Sequence, residues 1–220
     1  MSNTSNLKKH LAPLLERHGD IVLQGRWMIL KPVKHYARGV YFDRSRGRGS
    51  LIPIPMIGPL YEDINIHHTG HFKELRRKDR AWDTRDPASQ SELLAILENV
   101  VVPLLRSVEA PEQFLSIACK KIDLLADWHE AMCFITLGEW TTAELKVHKF
   151  KASWSLSTTH SLTPNLWAQH TVEHAQFVLD LLRTDRPQLI RQLHAWEAET
   201  ARLWKVEKYW SPSPFPCELV

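Results

Sequence analysis

Residues 26–45, RWMILKPVKHYARGVYFDRS, and residues 50–63, SLIPIPMIGPLYED, decide the fold of the first half of this chain. Along them apolar and basic residues alternate with the period of two that is typical of strands, and RGRG between them supplies the glycines of a turn. The pattern predicts a small antiparallel sheet with strands near 20–24, 27–33, 38–43 and 50–57. Because the prolines at 32, 53 and 55 donate no ladder hydrogen bond, at least one strand is expected to be an edge or bulged.

Helices are predicted on both sides of this sheet. A leucine stripe indicates a first helix over 4–18, residues 58–88 are polar and irregular, and Ser89 with Glu92 forms a capping box that opens a helix over about 90–107. Pro103 is expected to kink or divide that helix. From residue 111 onward the sequence is helical throughout, with a joint at Gly138, and the proline-rich tail is expected to be extended, either docked through Phe215 or loose.

These elements indicate an α+β protein: a small antiparallel sheet with an N-terminal helix, followed by a mostly helical C-terminal half. We expect one domain over 1–220, with a sub-boundary near 108–112 that separates an α+β part, 1–110, from a helical part, 111–220. Four short strands with one or two helices bury too little apolar surface to be stable alone, so the two parts are expected to depend on each other.

Composition indicates a cytoplasmic protein. The 220 residues contain three cysteines, an odd number with no CxxC pair, which argues against a disulfide scaffold and a thiolate zinc site. Cys119 and Cys133 lie in apolar helical runs and are interpreted as core residues. The N-terminus has no apolar signal region, and no window reaches 18 consecutive apolar residues, so we expect neither secretion nor a membrane span.

Two histidine clusters are candidate metal sites. His170, Glu173 and His174 form an HxxEH segment, in which two imidazoles one helical turn apart could hold zinc while the glutamate activates water. That motif normally lies early in a chain with a carboxylate ligand far downstream, whereas here it lies near the C-terminus. His67, His68 and His71 form the second cluster, which has no cysteine partner. Histidines beside an apolar stripe and in a polar loop are the preferred interpretations, so no metal and no cofactor are predicted.

The basic strands are a candidate binding surface. Residues 1–110 carry 17 Lys and Arg against 12 Asp and Glu, whereas residues 111–220 carry 11 against 13. This asymmetry could steer an acidic protein, or a polyanion, toward one face. The predicted partner surface consists of Lys34, His35, Arg38, Arg44, Arg46 and Arg48. Cations interleaved with aromatic residues could also bind nucleic acid, but ordinary core aromatics beside a solvated face explain the pattern better.

The segment KPVKHYARGVYFD followed by GPLYED resembles the pattern of a group of small bacterial proteins of uncharacterised function. The residues that carry the resemblance are Pro32, His35, Arg38, Gly39, Phe42, Pro59, Leu60 and Tyr61. It implies an α+β N-terminal region and a helical remainder, and it implies no activity.

Three classes of function follow from these patterns. The preferred one is a non-enzymatic protein-binding module, adaptor-like or immunity-like, because no convergent catalytic set and no nucleotide or acyl-transfer motif is present. The alternative is a zinc-dependent hydrolase that uses the HTVEH segment. The third is nucleic-acid binding through the basic sheet face.

Overall fold

The computed structural model describes the backbone of residues 3–43, 49–62, 75, 77, 81–118, 125–159 and 166–220. Side chains are described over the same ranges except residues 3–6, 118, 155–159 and 166–171. The fold is α+β, as the sequence predicted: a five-stranded antiparallel sheet, an N-terminal helix and a mostly helical remainder.

The chain divides into two compact units that interleave in sequence. The first unit comprises Met1–Pro59, Ile66–Val108 and Trp204–Ser211, and the second comprises Leu60–Asn65, Glu109–Leu203 and Pro212–Val220. The chain therefore passes from the first unit to the second after Val108, within the region where the sequence suggested a sub-boundary. Two short segments lie outside the half of the sequence that forms most of their unit. Leu60–Asn65 is in the first half but belongs to the second unit, and Trp204–Ser211 is in the second half but belongs to the first unit. Whether the whole chain behaves as one domain stays a prediction.

The first unit is a five-stranded meander with helices. Its elements are α1 (Asn3–Arg17), β1 (Ile21–Gln24), β2 (Trp27–Leu30), β3 (Tyr36–Asp43), β4 (Ser50–Pro59), β5 (Trp82–Asp83), α2 (Pro87–Ile96) and α3 (Val102–Arg106). The strands are ordered β1-β2-β3-β4-β5 in the sheet, all antiparallel. One face of β3 is fully inside, with Val40 and Phe42 at 0% exposure, because period-two alternation turns every second side chain toward the core.

The prolines of β4 lie where a sheet tolerates them. Across the β3–β4 ladder, Tyr41 lies opposite Ile54 and Gly39 lies opposite Met56. The Pro53 carbonyl oxygen instead accepts a hydrogen bond from the Leu75 amide, on the side of β4 away from β3. Alternate residues of a strand direct their backbone groups to opposite sides, so Pro53 and Pro55 face away from β3. In the part of the chain that the structure describes, β5 pairs with Ser50 and Leu51 and no described strand runs beside Pro53 and Pro55, as an edge position requires.

The helix after β5 differs from the prediction at its start and in its middle. It begins at Pro87, because Asp86 acts as N-cap and accepts from the Ala88 amide, whereas the Ser89 hydroxyl accepts from the Asp83 amide instead of capping. A π-helical turn, Leu97–Val101, separates α2 from α3. Pro103 follows in the first turn of α3, where its missing amide is tolerated, so the expected division is present.

The segment Pro87–Arg106 is long and apolar enough to cross a membrane by length and composition, with a mean hydropathy of 1.2 in its best window. A core helix of a soluble protein passes the same test, so this property is weak evidence for a span. Within the first unit Leu93, Leu97, Val101 and Leu105 of this segment are buried, and 33% of the apolar window is buried.

An ion-pair network joins the end of α1 and the turn after it to the π-helical turn and α3 in the first unit. Arg17 donates two hydrogen bonds of 2.7 Å to Glu98, and Arg106 donates to both oxygens of Asp20 at 3.0 and 2.8 Å. His18 lies between the pairs, 3.3 Å from Glu98 and 3.1 Å from Arg106. The guanidinium of Arg106 lowers the pKa of Asp20, and that of Arg17 lowers the pKa of Glu98.

Acid should therefore remove part of the stability of the first unit. A carboxyl whose pKa is lowered by folding stabilises the fold above its unfolded pKa of about 4, and that contribution is lost as the pH falls through the folded pKa. We expect Arg17→Gln combined with Arg106→Gln to flatten the loss of thermal stability between about pH 5 and pH 2. Lys8→Gln, an exposed change on α1, is the control. An unchanged acid dependence in the double variant would show that the network contributes nothing.

The second unit is helical. Its helices are α4 (Pro111–Ala118), α5 (Ala126–Leu137), α6 (Trp140–Thr159), α7 (Leu166–Thr184) and α8 (Arg186–Leu203). Gly138 ends α5 with a left-handed φ of 79°, as the joint predicted there requires. The tail is docked and not loose, since Phe215 is fully buried. The expected N-cap pair at Thr163 and Pro164 lies outside the described residues.

Candidate binding surface

The outer face of the sheet presents a row of large side chains at one end. Trp27, Tyr41 and Ile54 are directly paired across β2, β3 and β4, so they share one face of the sheet. The rings of Trp27 and Tyr41 lie 5.2 Å apart at 51°. All three side chains are partly exposed, whereas Val40 and Phe42 on the opposite face are fully buried. We call these three residues the aromatic row.

Arg26 adds a positive charge to the aromatic row. Gly25, with a left-handed φ of 61°, lies in the turn between β1 and β2, and Arg26 follows it, directly before Trp27. The Arg26 guanidinium lies 5.9 Å from the centre of the Tyr41 ring and donates to its hydroxyl at 3.3 Å. An oxygen of the Asp43 carboxylate lies 4.0 Å from the Arg26 guanidinium, and the Arg26 side chain is 39% exposed. The row therefore carries an accessible cation held against an aromatic ring.

The opposite end of this face is covered within the first unit. There a Cβ added at Gly58 would overlap the Trp204 ring. Ile29 and Met56, which lie toward this end, are buried. At the other end Gln24, which pairs directly with Trp27, donates its side-chain amide to the Lys205 carbonyl oxygen. Val22 and Ala37 on the same face are partly exposed, as the residues of the aromatic row are.

The described residues of the predicted partner surface differ in their exposure. Lys34 is exposed, but His35 and Arg38 are each only 7% exposed, so neither can contact a partner through an open surface. Arg38 lies on the same face of β3 as Val40, and its guanidinium donates to the carbonyl oxygens of Val108 at 2.9 Å and Pro32 at 3.2 Å. Arg38 therefore caps carbonyl groups inside the first unit.

Arg44, Arg46 and Arg48, the other predicted partner residues, lie outside the described residues. In sequence they follow β3 directly, and Arg44 is three positions beyond Tyr41.

The HTVEH segment lies within α7, but its described side chains are not arranged as a zinc site. Glu173 is exposed, whereas the His174 ring packs 4.6 Å from Trp196 and 5.5 Å from Trp128 between ring centres. The His170 side chain is outside the described side chains. His174 thus belongs to an aromatic cluster, which matches the interpretation of a histidine beside an apolar stripe.

His67, His68 and His71 lie outside the described residues. Within the part of the chain that the structure describes, no group of three or more His, Cys, Asp or Glu side chains could hold a metal ion. Neither histidine cluster therefore gains support as a metal centre from the described side chains.

Sequence reasoning missed a buried acid–histidine pair in the second unit. Nδ1 of His129, on α5, lies 2.9 and 2.8 Å from the two carboxylate oxygens of Glu62, and both side chains are almost completely buried. Next to Glu62, the Tyr61 hydroxyl lies 3.3 Å from Sγ of Cys133, which is also buried, as its apolar context predicted. The other cysteine interpreted as core, Cys119, lies outside the described residues.

The Glu62–His129 pair has the composition of a catalytic dyad but not its accessibility. A general base must reach a proton of a substrate directly or through one water molecule, and these side chains are closed within the unit. The pair instead ties the Leu60–Asn65 segment to α5. No local sequence pattern could indicate the Glu62–His129 pair, because the two residues are 67 positions apart in the sequence.

The fold and the aromatic row define an α+β protein with a small cationic aromatic surface. No protein-family model, no curated protein and no solved structure matches the chain.

Proposed function

We propose that this chain is a non-enzymatic protein-binding module, adaptor-like or immunity-like, whose aromatic row docks an acidic segment of a partner protein. The observation that carries the proposal is the juxtaposition of Trp27 and Tyr41 with the guanidinium of Arg26 on a partly exposed sheet face. Tryptophan, tyrosine and arginine are the residues most enriched among those that dominate the energetics of protein interfaces.

Charge favours an acidic partner. Arg26 lies in the part of the chain with excess positive charge, and three further arginines follow Tyr41 closely in sequence. The attraction of carboxylates to such a surface raises the association rate and disfavours basic partners.

The arrangement of the rings supports a protein partner over a nucleic acid. Base stacking requires an open aromatic face. Here Arg26 lies over the Tyr41 ring, and Trp27 is tilted against Tyr41 instead of lying parallel to it. Nucleic-acid binding is therefore the alternative to protein binding at this surface.

Catalysis has less support. Glu62 and His129 are enclosed, His174 is packed among tryptophans, and Glu173 is exposed without a described metal-ligand neighbour. A zinc hydrolase using His170, Glu173 and His174 therefore remains the weaker proposal.

A comparison of matched variants tests the proposal. The full chain is immobilised and incubated with lysate of its host, with and without nuclease treatment, and the retained proteins are quantified by mass spectrometry. We expect an acidic protein that is retained by the unmodified chain and by Lys8→Glu, but reduced at least tenfold with Trp27→Ala or Arg26→Glu, as expected for removal of a dominant interface contact. Lys8→Glu makes the same charge change on α1, away from the sheet face.

Two outcomes would contradict the proposal. Equal retention by all variants would mean that the aromatic row is not the interface. Loss of the retained material on nuclease treatment would assign the surface to a nucleic acid.

A further inference from the structure

The tail, Pro212–Val220, is seated in the second unit through one aromatic anchor. Phe215 is fully buried; its ring meets the Tyr61 ring edge-on at 5.6 Å and stacks on the His194 ring at 4.4 Å and 24°. His194 belongs to α8, and its side chain is 31% exposed. The imidazole therefore forms one wall of the site that holds the tail.

Both ring nitrogens of His194 face a carboxylate. Nδ1 lies 3.1 Å from Oε2 of Glu197, which follows one turn later on α8, and Nε2 lies 2.8 Å from Oε2 of Glu218 in the tail. The same Glu218 oxygen accepts the Phe215 amide at 2.7 Å. Because the Glu197 side chain is fully buried, the imidazole joins an interior carboxylate to the tail. We call His194, Glu197 and Glu218 the tail triad.

The tail triad needs one proton more than a neutral imidazole and two ionised carboxylates carry. An ionised carboxylate only accepts hydrogen bonds, and a neutral imidazole has a single N–H group. With one N–H, the other ring nitrogen and its carboxylate would bring two lone pairs together at hydrogen-bond distance. The docked tail therefore holds an additional proton, which belongs to the triad as a whole and not to one atom.

We infer that the tail is held by a proton-controlled latch, in which the tail triad keeps the tail docked while it holds this proton and releases it as the pH rises. Loss of the proton turns one of the two His194 contacts into a repulsion between lone pairs. The carboxylate of Glu218 also receives the Phe215 amide, so weakening its contact with His194 loosens the aromatic anchor as well.

The direction and the size of the effect follow from proton linkage. An imidazole without such partners releases its proton at about pH 6.5. Above that pH the docked tail holds one proton more than the released tail, so the docking equilibrium constant should fall by up to about tenfold for each pH unit. Below about pH 4 the carboxylates take up protons of their own, and docking should weaken again.

Other ionisable groups at this site do not account for such a change. The charged and titratable groups that the described contacts place around His194 and Phe215 are Glu197 and Arg191 of α8, Glu218 and Cys217 of the tail, and Tyr61. Arg191 is exposed and donates to Gln188. Burial raises the pKa of the Cys217 thiol to about 11, so the thiol ionises above the pH range in which the latch should open.

Amide hydrogen exchange of the full chain, resolved by NMR, tests the latch. The Phe215 amide is the probe, because its exchange requires release from Glu218. After correction for the intrinsic base-catalysed rate, we expect its protection to fall at least tenfold between about pH 6.5 and pH 8.5. The Leu189 amide, which donates to the Asp185 carbonyl oxygen at 3.0 Å in α8, is the control and should keep its protection.

Two variants separate the proton from the fold. In Glu197→Gln the new amide can donate to Nδ1 while a neutral His194 donates to Glu218 from Nε2. The tail should then stay docked and its pH dependence should vanish. His194→Gln removes the ring at a partly exposed position, and it should abolish the pH dependence with lower protection throughout. Circular dichroism establishes that each variant is folded, and His194→Gln decides alone if Glu197→Gln is not.

Three results would overturn the proposal. The first is a Phe215 amide whose corrected protection stays constant from about pH 6.5 to pH 8.5 in the unmodified chain. The second is the same fall in a folded variant, because the proton would then lie elsewhere. The third is a Phe215 amide that is unprotected even at the lower pH, since the tail would then not be docked.

Discussion

Glu62→Ala is expected to lower the free energy of unfolding of the second unit by about 2–4 kcal/mol, because the buried His129 ring loses its carboxylate acceptor and a cavity replaces the Glu62 side chain. The substitution leaves His129 Nδ1 buried without the two carboxylate oxygens that now lie 2.9 and 2.8 Å from it. It also releases the Leu60–Asn65 segment from α5. Urea unfolding measures the loss, and hydrogen exchange of the α5 amides locates it.

Glu62→Gln is the matched control for that loss. The glutamine carbonyl oxygen can still accept from Nδ1 of His129, so we expect a smaller loss of about 1–3 kcal/mol. If the alanine and glutamine variants were equally stable, hydrogen bonding to His129 would not be what holds the segment.

Gly39→Ala is expected to lower the stability of the first unit by about 3 kcal/mol or more. Gly39 lies in β3 opposite Ile29, and a Cβ there would overlap the backbone carbonyl group of Met28. A backbone neighbour cannot rotate away as a side chain can, so β2 must separate from β3. Thermal unfolding measures the loss, and hydrogen exchange should increase along both strands.

Gly19→Ala controls for the general effect of a glycine substitution. A Cβ at Gly19 meets no atom within 4 Å. We expect its stability to change by less than about 0.5 kcal/mol, since nothing obstructs the added methyl group. A Gly39→Ala variant as stable as Gly19→Ala would mean that β2 and β3 are not packed as described.

Most strands and helices could be predicted because their signals are local. Alternation placed β2, β3 and β4 to within a few residues, and the leucine stripe placed α1. The two-residue strand β5 escaped, because Trp82 and Asp83 are too few to show a period. At the start of α2, both the Asp86–Pro87 pair and Ser89 could begin a helix. Asp86 is the observed N-cap, and the Ser89 hydroxyl instead accepts a hydrogen bond from the Asp83 amide.

The candidate site was only partly predictable. The sequence indicated cations and aromatic residues in the first strands, but the face of each side chain depends on register, which placed Arg38 inside and Trp27 outside. The Glu62–His129 pair depends on tertiary packing between distant segments, for which a single sequence carries no local pattern. Docking of the tail through Phe215 was one of two expectations, and its acidic anchor at Glu218 was not foreseen.

Site-specific photocrosslinking at Tyr41 tests the proposed function most directly. A benzoylphenylalanine replaces Tyr41 in the full chain inside host cells, and Ser116, an exposed residue of α4, receives it as the control. The account predicts a covalent adduct with one protein at position 41 but not at position 116, joined through a segment rich in Asp and Glu. Crosslinks at position 41 to nucleic acid, or to the same proteins as at position 116, would contradict it.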